Sequence, residues 1–281
     1  MQDDLRALAR RLLEEGQVEM VIGYCAGSLP DTARPVFVRR PEDADQLIFD
    51  RNCYHNLSVY LTRPEIKELG RVAVVAKGCD VKSIIVLLQE HQLDRDDVVI
   101  IGVGCDGVGE PRLFKCDHCD VHVPKLYDHL LGEASETDST ESDTLTLRTA
   151  ELDAMTPDER WAFWQDHFSR CIKCYACRQV CPLCYCTTCI VDKNQPQWIE
   201  TSAHTRGNFA WNLIRALHLA GRCIGCDECS RVCPAVIPLY LLNDRAAREI
   251  LERFDYRAGY DAENPPPLAV YRTDDTEEFI R

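Results

Sequence analysis

The chain has 281 residues, 46% of them apolar, and its 32 Lys plus Arg against 46 Asp plus Glu leave a formal charge of −14. This length and apolar content can fill two hydrophobic cores and exclude disorder as the main state, while the acidity excludes a nucleic-acid partner gripped through its phosphates. No apolar run reaches the roughly 18 to 20 residues that cross a bilayer, and the start, Met1-Gln2-Asp3-Asp4-Leu5-Arg6, has acids where an export leader would have a basic patch.

A cytoplasmic chain with no direct membrane insertion is therefore expected, and in that reducing compartment 17 cysteines predict bound metal rather than disulfides. Val18 to Tyr24, Arg71 to Val75 and Asp97 to Val103 are short β-branched runs, the last two separated by a helical stretch from Asp80 to Gln92. That is β-α-β spacing. The unbroken apolar character of Val72-Ala73-Val74-Val75 and Val98-Val99-Ile100-Ile101 predicts strands buried on both faces. An α/β N-terminal domain with a parallel or mixed sheet is expected over residues 1–132.

Residues 133–155 read as an acidic linker, opening Glu133-Ala134-Ser135-Glu136-Thr137-Asp138-Ser139, too polar to bury a core. Thr156-Pro157-Asp158-Glu159 then offers a cap, a proline at the first helical position and a capping-box Glu. Helices are predicted from Pro157 to Arg170, about His204 to Ala220, and from Leu239 to Arg253, with Gly221 stopping the second. Residues 156–254 thus form a mainly α-helical second domain. The tail 255–281, with Pro265-Pro266-Pro267, reads as an extended arm.

The chemistry lies in a repeat. Residues 171–182, Cys-Ile-Lys-Cys-Tyr-Ala-Cys-Arg-Gln-Val-Cys-Pro, and 223–234, Cys-Ile-Gly-Cys-Asp-Glu-Cys-Ser-Arg-Val-Cys-Pro, are identical at seven of twelve positions. Each copy is C-x-x-C-x-x-C-x-x-x-C-P, the run in which three close thiolates wrap one [4Fe-4S] cube and the fourth reaches the other. With that exchange, one cluster takes Cys171, Cys174, Cys177 and Cys233, and the second takes Cys223, Cys226, Cys229 and Cys181. Two four-Cys zinc sites are the competing reading, but zinc favours paired rather than triple spacing. Ile172, Val180, Ile224 and Val232 are expected to wall the clusters from water, and Gly225 to let backbone approach inorganic sulfide.

Cys79, Cys105, Cys116 and Cys119 make a second constellation. Cys79 opens a helix after a strand, where the helix end and Lys77 favour a thiolate, and Cys105 ends the next strand. They could converge at the carboxyl edge of the sheet as a third [4Fe-4S] site, as structural zinc, or as core thiols. Cys184, Cys186 and Cys189 follow the first repeat; they are either further ligands lacking a local fourth or small buried thiols. Cys25 and Cys53 read as ordinary buried cysteines. Gly102-Val103-Gly104-Cys105-Asp106-Gly107 matches a dinucleotide fingerprint, but Gly109 and Pro111 stand where its helix should begin. His55, His118 and His122 read as solvated or hydrogen-bonded loop histidines, and no catalytic constellation stands out.

Lys77-Gly78-Cys79-Asp80, Ile100-Ile101-Gly102-Val103-Gly104-Cys105 and the Cys116/Cys119 pair resemble the beta subunits of deazaflavin-linked hydrogenases and formate dehydrogenases. Cys171 to Cys189, with its Cys-Pro-Leu-Cys-Tyr-Cys, is similar to the iron-sulfur part of formate dehydrogenase beta subunits, and His218 to Pro234 resembles the dicluster modules of heterodisulfide reductase assemblies. The resemblance implies an iron-sulfur subunit of an anaerobic multisubunit oxidoreductase. Such a subunit would relay electrons between a hydrogenase- or formate dehydrogenase-type catalytic subunit and a flavin or heterodisulfide-reductase-type module, not acting as a catalyst alone. It also implies an alternative, an FAD-containing subunit that itself oxidises or reduces a soluble hydride carrier.

Overall fold

A computed structural model describes residues 1–117, 119–134, 149–200, 202–267 and 269–271. Strands β1 (Met20–Ala26), β2 (Ala33–Val38), β3 (Val72–Ala76), β4 (Val98–Val103) and β5 (His129–Leu131) form one sheet in the order β2-β1-β3-β4-β5. The β1/β2 pair is antiparallel and the other three pairings are parallel, so the α/β sheet is mixed. Every residue of β3 and β4 is buried, as their unbroken apolar runs require. Two strands escape the sequence reading: β2 is an edge strand carrying Pro35, and β5 is three residues long and only half buried, so neither shows an apolar period.

Helix α1 (Gln2–Glu14) lays Leu5, Leu8, Ala9 and Leu12 on the core through i, i+3, i+4, i+7 spacing. Helix α2 (Gly78–Gln89) is buried on two sides. Val81, Ile84 and Ile85 join the sheet's core, while Val86 and Leu87 join a second core with Leu183, Leu219, Ile224, Ile250 and Tyr256. Cys25 and Cys53 are both buried, as expected of ordinary core thiols.

The C-terminal region is helical in its described residues: α3 (Pro157–Ser169), α4 (Thr205–His218) and α5 (Leu239–Phe254), with single turns at Ala176–Gln179 and Glu228–Arg231. The capping box forms, Glu159 N–H donating to Thr156 Oγ1 at 3.3 Å and Thr156 N–H to Glu159 Oε2 at 2.7 Å. Gly221 adopts φ 72° just after α4, a conformation cheap for glycine. Much of the expected linker, residues 135–148, lies outside the described residues, as does the end of the arm from 272. Residues 149–154 are helical and bury Leu152. The start of the arm packs back on α2: Tyr256 and Ala258 are buried, and Lys82 donates to Tyr260 Oη at 3.1 Å.

Gly78 sits where α2 meets the 119–122 loop. A methyl there would stand 2.0 Å from the Val121 carbonyl oxygen, a clash with backbone that cannot swing aside. Gly78→Ala is expected to cost about 1–3 kcal/mol, read as a lower urea midpoint with unchanged m-value. A neutral result would mean that the loop yields freely.

Candidate metal centres

At the carboxyl edge of the sheet, β3 and β4 run parallel in the register Ala76 to Gly102, which brings the residues after each strand side by side. Cys79 lies in the first turn of α2, Cys105 just past β4, Cys116 in the single turn Phe114–Asp117 and Cys119 beyond it. All four line one cavity. Gly107, at φ 126°, turns the chain on its rim, and no long helix follows the dinucleotide-like glycines. Val108 N–H donates to Cys116 Sγ at 3.4 Å.

Lys77, Lys82, Lys115 and Arg257 line the same cavity. Lys77 pairs with Asp80 at 2.8 Å and Lys115 with Glu228 at 3.1 Å, all four groups buried. Burial opposes the Lys115 ammonium, but the Glu228 carboxylate counters it and the pKa is raised. A thiolate at Cys79 was the expectation from the helix end and Lys77. Lys115 and Lys77 do favour the thiolate, but burial, which pushes this thiol well up, and Asp80, which adds to it, outweigh them. A metal taking Cys79 as a ligand would have to displace that proton.

A second cavity is lined by Cys181, Cys223, Cys226 and Cys229, the set that the ferredoxin exchange assigns to one cube. Asn243 Nδ2–H donates to Cys229 Sγ at 3.6 Å. The first repeat is looser: Cys171, Cys177 and Cys233 pack with Phe168, Cys229, Ile237 and Leu239, while Cys174 is exposed. Three of that predicted set come together in this group. Cys184, Cys186 and Cys189 line another cavity with His218. Cys184 is held down to about 7 by its hydrogen bond with Cys181, against burial and with the help of Arg215.

The repeat extends to the backbone. Lys173 and Tyr175 in the first copy, and Gly225 and Asp227 in the second, all take left-handed φ between 52° and 68°, and each pair leads into a single helical turn. The environments differ. Ile224 is 5% exposed but its counterpart Ile172 is 63% exposed, so the apolar wall expected around both copies is incomplete at the first. The second copy is clasped between α2 and α5, whereas the first lies at the surface.

The cavities share walls. Cys223, Ile224, Gly225 and Asp244 line the first and the second, and Leu183, Arg215 and Leu219 line the second and the one beside Cys186. Arg215 is 6% exposed and donates to the Cys177 carbonyl at 3.0 Å, yet its buried Nε has no hydrogen-bond partner among the described residues. An orphaned guanidinium N–H among thiols suits an anionic guest. Sequence reading missed Arg215, Asn243 and Lys115. A charged residue four after Trp211 and four before Leu219 was the available sign for Arg215.

Among the described residues, no three His, Cys, Asp or Glu side chains are gathered to hold a metal ion. A [4Fe-4S] cube makes a different demand: each iron takes one protein ligand, so thiolates ring a cavity instead of meeting at a point. The thiol-lined cavities, the buried cations and the orphaned donor fit such a group. His55 is hydrogen-bonded, its carbonyl accepting from Lys77 at 3.0 Å and its Nδ1 facing Arg231 at 3.1 Å; His122 lies 3.6 Å from Asp106. His118 lies outside the described residues.

A mixed α/β sheet joined to a helical region, with cysteines lining adjoining cavities, defines a cysteine-rich α/β protein. No protein-family model matches the chain. It is 36% identical to the F420-dependent formate dehydrogenase subunit beta of Methanocaldococcus jannaschii, over 95% of this chain and 94% of the relative. The chain belongs to that family of beta subunits. It is also 22% identical to F420-dependent formate dehydrogenase 1 subunit beta of Methanococcus maripaludis, over 93% and 92% of the two chains. A chain of the F420-reducing [NiFe] hydrogenase complex from Methanosarcina barkeri is similar at 20% identity and a TM-score of 0.31, covering 37% of this chain and 38% of its own. Among the described residues, no helix is long and apolar enough to cross a membrane.

Proposed function

We propose that the chain is the iron-sulfur electron-transfer subunit of a multisubunit oxidoreductase. It would link a catalytic subunit of the formate dehydrogenase or hydrogenase type to a flavin or heterodisulfide-reductase-type module. The observation that carries this reading is the shared wall: one segment, Cys223-Ile224-Gly225, borders both the cavity of Cys79, Cys105, Cys116 and Cys119 and the cavity of Cys181, Cys226 and Cys229. Bound [4Fe-4S] clusters supply one-electron carriers whose potentials follow hydrogen bonding, charge and burial.

The proposed ligands are Cys171, Cys174, Cys177 and Cys233; Cys223, Cys226, Cys229 and Cys181; and Cys79, Cys105, Cys116 and Cys119. The chain's other residues set their surroundings. Lys77, Lys115 and Arg215 place buried positive charge beside the thiols, Asn243 donates to Cys229 Sγ, and Ile224, Val86 and Leu87 exclude water. The corresponding organisation is an α/β domain over 1–132, an acidic linker over 133–155, a dicluster ferredoxin domain over 156–254 and a C-terminal arm over 255–281. Support for the partners comes from the names of the relatives, which are beta subunits of formate dehydrogenases.

The test is iron and acid-labile sulfide per chain on anaerobically purified protein, with a flavin assay on the same sample. These three ligand sets require about 12 irons, four per cube, and Cys79→Ser is expected to remove about four. An iron content unmoved by Cys79→Ser would return the sheet-edge cysteines to a structural role and confine electron transfer to the helical region. Stoichiometric FAD would instead favour the subunit that itself oxidises or reduces a hydride carrier.

A further inference from the structure

Three cysteines remain outside these ligand sets. Cys184, Cys186 and Cys189 follow the first repeat closely and line a single cavity. Helix α4 contributes to the same lining Trp211, Arg215 and His218 at i, i+4 and i+7. That spacing puts them on one helical face. The fourth ligand that is missing locally is therefore present on the lining of the same cavity, from a different element.

We propose that Cys184, Cys186, Cys189 and His218 hold a fourth iron-sulfur cluster, on a branch beside the Cys181/Cys223/Cys226/Cys229 cavity. The occupant rests on the cluster reading above, and the place rests on this cavity alone. One further observation points to an anionic guest. Arg178, Arg215 and Arg222 all line the cavity. Arg178 is neutralised by Asp192 at 2.6 Å, and Arg222 by Glu90 at 2.7 Å. The third, Arg215, is buried and keeps its Nε without a partner. Such a donor is costly to leave unmet, and a thiolate or inorganic sulfide in the cavity would meet it.

A mixed cysteine and histidine set has a stated consequence. Imidazole in place of thiolate raises the reduction potential of a cluster, so this centre would take an electron at a higher potential than its all-cysteine neighbours. The shared wall of Leu183, Arg215 and Leu219 places it next to the Cys226 cavity. It would act as a side carrier there, not as a link toward the sheet.

The experiment uses the full chain, purified anaerobically, with iron, zinc and acid-labile sulfide measured and the reduced protein titrated by EPR. Wild type is expected to carry about 16 irons, four cubes' worth. Cys186→Ser changes an exposed thiol and is expected to lower the count by about four with one EPR signal lost. His218→Cys is expected to keep the full iron count and shift one midpoint to lower potential. Unchanged iron in Cys186→Ser, or unmoved midpoints in His218→Cys, would overturn the proposal. Zinc lost in place of iron would overturn it as well. If Cys186→Ser leaves iron unchanged while Cys79→Ser lowers it, the fourth site fails and the three-cluster reading stands; iron-free wild type would sink both.

Discussion

Cys226→Ser is expected to remove about four irons and to unfold much of the helical region, whereas Cys174→Ser should remove as many irons with a far smaller loss of stability. The two cysteines hold the same place in the two copies of the repeat. Cys226 is buried in the core that joins α2 to the helices, packed with Leu183, Leu219, Ile224 and Ile250, while Cys174 is exposed. Metal binding in small modules is worth on the order of 10 kcal/mol of folding free energy, comparable with the whole stability of a domain, about 5–15 kcal/mol. At Cys226 the loss falls on the core between the two regions and leaves a polar hydroxyl in an apolar wall. At Cys174 it falls at the surface. Anaerobic circular-dichroism melts of both variants, with iron counts on the same samples, check this; equal drops in Tm would contradict the asymmetry.

Lys115→Met is expected to lower stability by about 3 kcal/mol, the low end of the 3–5 kcal/mol cost of stripping one partner from a buried ion pair. Lys115 belongs to the single turn that carries Cys116, and Glu228 opens the turn Glu228–Arg231 that carries Cys229. Their 3.1 Å contact, with side chains 6% and 1% exposed, ties the sheet-edge cavity to the second repeat. Arg231 still reaches Glu228 at 2.6 Å, which keeps the cost from the upper end. Restoring part of the loss with Glu228→Gln in the same chain would assign it to the stranded carboxylate. A single-variant loss below about 1 kcal/mol, the range of an exposed pair, would mean that the pair holds nothing together.

Legibility varied with how local the signal was. β3, β4 and α2 were readable because β-branched runs and a helical stretch between them require no knowledge of distant chain. The capping box at Thr156 and Glu159 was readable for the same reason. β2 and β5 were not, since an edge strand with a proline and a three-residue strand owe their form to the strand beside them. The thiolate expected at Cys79 failed on burial. A helix end and a neighbouring lysine are visible in sequence, but the burial that outweighs them is set by packing, in a cavity to whose lining distant segments contribute Ala247, Arg257 and Ala258.

Spacing alone singled out the two repeats and the Cys184, Cys186 and Cys189 run, because turn geometry is written within a dozen residues, while the sheet-edge set needed the β-α-β reading as well. The left-handed pattern shared by Lys173, Tyr175, Gly225 and Asp227 shows how far a local repeat dictates local backbone. What packing decided is how the groups relate. It buried one copy and exposed the other, set Arg215 among thiols from three sets, brought His218 into one cavity lining with Cys184, Cys186 and Cys189, and gave neighbouring cavities a common wall. The reason is physical: a chain encodes contacts between near residues in its order, but burial, unpaired donors and shared walls arise only when distant segments exclude the same water.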